Sequence, residues 1–92
     1  TWANACDAII RNDAHTRGIV VLGLDAPAEE LEASLAIAAE FDLVKGFAVG
    51  RTIFGDAARK WLNGSISDEE AIADMVMRYR GLCNVWDSVR TY

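Results

Sequence analysis

Lys45-Gly46-Phe47-Ala48-Val49-Gly50-Arg51-Thr52-Ile53-Phe54-Gly55-Asp56 reads as a short buried strand running through Gly-Arg-Thr straight into a helix. A glycine without Cβ lets the backbone approach a ligand closely. The first N–H groups of the following helix find no partner within it and point back at the same spot, where anions settle. Arg51 adds a planar fork of donors suited to phosphate. Gly50, Arg51 and Thr52 are therefore expected to cradle phosphate at the carboxyl end of a strand. Two plainer readings stand beside this one: Arg51 as a surface arginine fixing a helix end, and Thr52 as a helix cap.

Upstream, Ile19-Val20-Val21-Leu22-Gly23-Leu24 is an almost wholly apolar run rich in β-branched residues. Such a run fits a strand covered on both faces, as in a parallel sheet. In Asp25-Ala26-Pro27 the proline suits a first helical turn, with Asp25 or Ala26 as the cap. Glu29 and Glu30 favour that helix start, Leu31, Leu35 and Ala38 form its apolar stripe, and it ends near Glu40. Before the first strand, Trp2, Ala5, Cys6, Ile9 and Ile10 have helical spacing, followed by a polar connector from Asn12 to Gly18. The second strand spans Leu43 to Val49.

Beyond the Gly-Arg-Thr turn, Phe54, Ala57, Ala58, Trp61 and Leu62 mark a short amphipathic helix stopped at Asn63-Gly64. Ser67 and Glu70 form a capping box for a long last helix, whose stripe runs from Ile72 through Met75, Val76, Tyr79, Leu82, Cys83 and Trp86 to Val89. Gly81 interrupts it at modest cost. The order is helix, strand, helix, strand, short helix, long helix. Alternation of this kind predicts an α/β fold of right-handed βαβ units with parallel strands, in one domain over 1–92. With two strands, each lies at an edge. The piece is therefore expected to belong to something larger or to pair with copies of itself.

Composition points the same way. The chain has 92 residues, and its 52% apolar content exceeds what so small a core needs, which suggests surfaces meant to be covered. The net charge of −5 argues against nucleic acid as a partner, since a phosphate backbone demands a basic face. No apolar run of about 18 residues is present, so no membrane span is expected, and the first residues do not read as a signal peptide.

The remaining candidates for chemistry are few. Cys6 and Cys83 belong to no metal or redox spacing and read as small buried hydrophobes, which favours a cytoplasmic protein. His15 is the single histidine and falls in the polar connector, so no His-based triad or metal centre is expected, and no cofactor is called for. Asp68-Glu69-Glu70 reads as a favourable helix start. Lys45 lies inside an apolar strand, where a desolvated amine can become a nucleophile. It falls near the strand's start, however, away from the cradle, and is expected to snorkel out at that end.

Val20-Val21-Leu22-Gly23-Leu24-Asp25-Ala26-Pro27, then Val44 to Phe54, then Ala57-Ala58-Arg59-Lys60-Trp61-Leu62 resemble the end of an aldolase-like (β/α)8 TIM-barrel domain. That domain occurs fused behind the sugar kinase of bacterial myo-inositol catabolism, 5-dehydro-2-deoxygluconokinase. It is similar in turn to the class I tagatose-bisphosphate aldolases. The resemblance covers nearly all of the chain from Gly18 onward. It implies that the chain is the C-terminal quarter of such a barrel, its strands the seventh and eighth and its short helix an extra one before the last. It also implies a phosphate site built from Gly23 and Leu24 after the first strand and Gly50, Arg51 and Thr52 after the second. The implied reaction is carbon–carbon cleavage of a phosphorylated keto-sugar acid to dihydroxyacetone phosphate and malonate semialdehyde. The Schiff-base lysine of such lyases falls on an earlier strand that these residues do not include. Alone, this segment is therefore expected to bind substrate without cleaving it. The alternative is a non-catalytic assembly or regulatory module with a vestigial phosphate site.

Overall fold

The computed structural model describes residues 1–23 and 26–90. Six elements follow one another: α1 (Trp2–Asn12), β1 (Ile19–Leu22), α2 (Ala28–Ala38), β2 (Val44–Ala48), α3 (Arg51–Leu62) and α4 (Asp68–Val89). Their order is the one expected from the apolar periodicity.

The two strands pair in parallel, with Val20 beside Gly46, Val21 beside Phe47 and Leu22 beside Ala48. Neighbours paired in this way present their side chains on the same face. One face is core: Val21 and Val44 are buried among Leu31, Leu35 and Ala38 of α2, Leu82 and Trp86 of α4, and Cys6 of α1. Phe47 joins that layer, its ring 5.9 Å from Trp86 and 6.3 Å from Tyr79, both tilted. The other face carries Val20 and Leu22, each 57% exposed. The expectation that the first strand is covered on both faces is thus corrected.

The (β/α)8 expectation is corrected as well. Of the described residues 64% are helical, and one two-stranded sheet is all the β-structure among them. The strands are only 4 and 5 residues long. α4 packs on both α3 and α2, so helix-on-helix packing accounts for much of the interior. The chain is a helix-rich layer over a minimal parallel sheet.

Local chemistry explains the helix ends. Ser67 Oγ accepts from the Glu70 N–H and Glu70 Oε1 accepts from the Ser67 N–H, both at 3.1 Å, so the capping box is complete. α3 stops in a Schellman motif: the Gly64 N–H reaches the Trp61 carbonyl and the Ser65 N–H the Lys60 carbonyl. Gly64 takes φ +79, where any Cβ would be strained. Thr1 caps α1 through its hydroxyl, which accepts from the Asn4 N–H. Pro27 itself is the N-cap of α2, without a side-chain bond, so the helix begins one residue later than its proline suggested. Asp25, read as a candidate cap, lies outside the described residues.

The far end of α4 is tied down. The Arg90 guanidinium donates to the carbonyls of Phe41 and Val44 and lies 4.7 Å from the centre of the Trp86 ring. It joins the last turn of α4 to the entry of β2.

Candidate functional site

Both strands deliver their chain at the same end into a helix, β1 into α2 and β2 into α3. The ends of those helices, with one face of α4, enclose an open cleft of about 370 Å³. Ala26, Pro27 and Ala28 form one wall; Arg51, Thr52, Gly55, Asp56 and Arg59 of α3 and Arg78 of α4 form the other. Among the described lining residues, three guanidinium groups thus share a space with a single carboxylate, on a chain whose net charge is −5. An apolar slot of about 220 Å³ adjoins it, sharing Ala28, Thr52 and Arg78 and reaching Met77, Gly81 and Leu82.

The five expected phosphate residues are placed unequally. Arg51 and Thr52 line the cleft as the first two residues of α3. There the helix N–H groups lack helical partners and its dipole favours anions. The Thr52 hydroxyl faces inward, however, and donates to the Ala26 carbonyl at 2.9 Å. It buttons the loop after β1 onto α3, leaving the Thr52 backbone N–H as its contribution to any anion. Gly50 is the N-cap, its carbonyl accepting from Ile53 and Phe54. A Cβ on Gly50 would lie 3.0 Å from the Phe54 ring, so its bareness admits that ring. Gly23 is buried, and a Cβ there would meet Val49 at 2.9 Å. Both glycines let the strand ends close up behind the cleft. Leu24 lies outside the described residues.

The sequence reading missed Asp56, Arg59 and Arg78. Asp56 accepts a hydrogen bond from Arg59 one turn along α3, and its other oxygen lies 3.3 Å from Arg78 Nη2 across the helix pair. Arg78 Nε in turn donates to Asp74 at 2.9 Å. The Arg59 hydrogen bond, and then the charges of Arg78 and Arg59, hold the Asp56 carboxyl below its ordinary 3.8. A signal was present in the sequence: Asp56 and Arg59 stand at i,i+3, and Asp74 and Arg78 at i,i+4. The link between the two pairs depends on how α3 docks on α4, which spacing alone does not report.

The other candidates fall elsewhere. Lys45 is exposed at the amino end of β2, beside Arg17 and Gly18, far in the fold from the cleft's end of the sheet. His15 is exposed, its N–H donating to Asp13. Cys6 is buried and Cys83 half-buried, both free thiols. Among the described residues no group of His, Cys, Asp and Glu is arranged to hold a metal ion, and no helix is long and apolar enough to cross a membrane.

A family model described as "Uncharacterized protein conserved in bacteria (DUF2090)" matches residues 1–90. The chain belongs to this DUF2090 family. No curated protein and no solved structure matches it. For this DUF2090 member the chemistry of the cleft therefore carries the functional argument. It offers positive charge, oriented backbone N–H groups and an apolar annex, with the carboxylates of Asp56 in the cleft and Glu32 in the annex among the described lining residues.

Proposed function

We propose that this chain binds the phosphate of a small organic molecule in the cleft between α2, α3 and α4. In the intact protein, that phosphate belongs to a keto-sugar acid of the 5-dehydro-2-deoxyphosphogluconate type, presented for carbon–carbon cleavage. The observation that carries the first statement is the gathering of Arg51 at the amino end of α3, Arg59 further along that helix and Arg78 of α4 around one cleft. Guanidinium forks and helix N–H groups are the two protein groups best matched to phosphate oxygens. The second statement is supported by the resemblance at Val20–Pro27, Val44–Phe54 and Ala57–Leu62 to aldolase-like lyase domains. Binding and cleavage are separable here, since the described lining residues include no amine that could form a Schiff base.

Isothermal calorimetry with inorganic phosphate and with a sugar phosphate tests the binding, comparing the parent chain with Arg51→Ala. The expected result is millimolar or tighter binding by the parent, weakened about tenfold or more in the variant, the usual scale of a charge-assisted hydrogen bond. Equal binding by both would sink the reading.

A second reading, an assembly or regulatory module with a vestigial cleft, is favoured by one observation. Val20 and Leu22 on the sheet, and Ile72, Val76 and Tyr79 at helical spacing along α4, leave apolar surface exposed.

A further inference from the structure

We propose that Asp56 is the cleft's internal counter-anion: it holds Arg59 and Arg78 until a doubly charged phosphate monoester takes them over. A singly charged anion does not displace it. The proposal rests on the phosphate reading of this cleft.

The geometry is that of a plug. Asp56 is the single carboxylate among the described lining residues, and its two oxygens engage two different guanidinium groups, one on its own helix and one on α4. Neither oxygen contact is sealed. Arg59 is 66% exposed and Asp56 47%, so rotating the carboxylate away trades its partners for water at little desolvation cost. Arg78 is the more enclosed at 32%, and Asp74, which does not line the cleft, holds it from behind through Nε. Arg78 therefore stays in place when Asp56 leaves. Gly55, next to Asp56, has open space where a Cβ would stand, so the wall leaves room for an incoming group.

Charge then sets a threshold. A monoanion entering the cleft offers the guanidinium groups no more than the carboxylate it must push aside, and it stays close to that like charge. A phosphate monoester carries nearly two charges above its second pKa of about 6 and three acceptor oxygens. It gains more from Arg59 and Arg78 than Asp56 does, and the exchange runs forward.

Calorimetry at pH 8 with methyl phosphate, a dianion, and dimethyl phosphate, a monoanion, tests this in the parent, Asp56→Asn and the control Asp7→Asn. The parent is expected to bind methyl phosphate and to give no measurable heat with dimethyl phosphate. Asp56→Asn is expected to bind methyl phosphate about tenfold tighter and to bring dimethyl phosphate binding into range. Asp7→Asn, which removes an exposed carboxylate on α1 that does not line the cleft, is expected to leave both nearly unchanged. Circular dichroism checks folding, and Asp56→Ser replaces Asp56→Asn should the amide variant unfold. An uncharged variant that is folded but binds methyl phosphate no tighter overturns the proposal, because Asp56 would then only organise the arginines. If that happens while Arg51→Ala still weakens binding, the phosphate reading stands without the counter-anion. Should neither the parent nor any variant bind methyl phosphate, both fall.

Discussion

At the scale of single residues, the network Asp74–Arg78–Asp56–Arg59 joins α3 to α4, and its last three members line the cleft. Its pH dependence has a definite sign. Asp56 titrates below its ordinary value in the folded chain, because protonation would forfeit the Arg59 hydrogen bond and the attraction of Arg78. The unfolded chain therefore binds its proton first as pH falls. The stabilisation is fully present above the ordinary 3.8 and is lost as pH drops through the lower folded value. Urea midpoints measured from pH 7 down to about 2.5 should fall more steeply below pH 4 for the parent than for Asp56→Asn, and 1 M salt should narrow the gap. Parallel curves would show that the ion pairs are not held in solution.

At the scale of elements, much was legible because much is local. Ser67 and Glu70 lie three residues apart on one turn, so their box forms wherever the helix does. Asn63-Gly64 stops α3 for an equally local reason, the left-handed turn that glycine accepts. The apolar run beginning at Ile19 named a strand, found at Ile19–Leu22, but misjudged its surroundings: an apolar sequence reports that side chains avoid water, not which neighbour covers them. The site was legible by half. Arg51 and Thr52 follow from the strand–turn–helix pattern, whereas the pairing of Asp56 with Arg78 spans two helices and depends on their docking. Gly23 and Gly50 show the limit of the argument from composition. A missing Cβ makes room, and here the room is taken by Val49 and by the Phe54 ring.

At the scale of the molecule, the chain extends over 51 × 24 × 21 Å. A sheet of two short strands leaves both its edges and one apolar face, with Val20 and Leu22, without cover among the described residues. Surfaces of that kind mark contacts with other protein. Light scattering at rising concentration should report association, and Val20→Lys with Leu22→Lys should abolish it; a parent that stays monomeric and melts cooperatively would rule out the assembly reading. The Arg90 contacts have a different consequence, in the order of events during folding. Through its bond to the Val44 carbonyl, Arg90 closes a ring of 46 residues without a covalent link. Closing a loop of that length costs on the order of 3 kcal/mol of chain entropy. The ring therefore shuts after the helices within it have docked, and it opens early on the way out. Stopped-flow tryptophan emission, to which Trp86 beneath the guanidinium contributes, should show Arg90→Ala unfolding several-fold faster and folding at nearly the parent rate. A slowed folding arm would instead place the clasp in the nucleus.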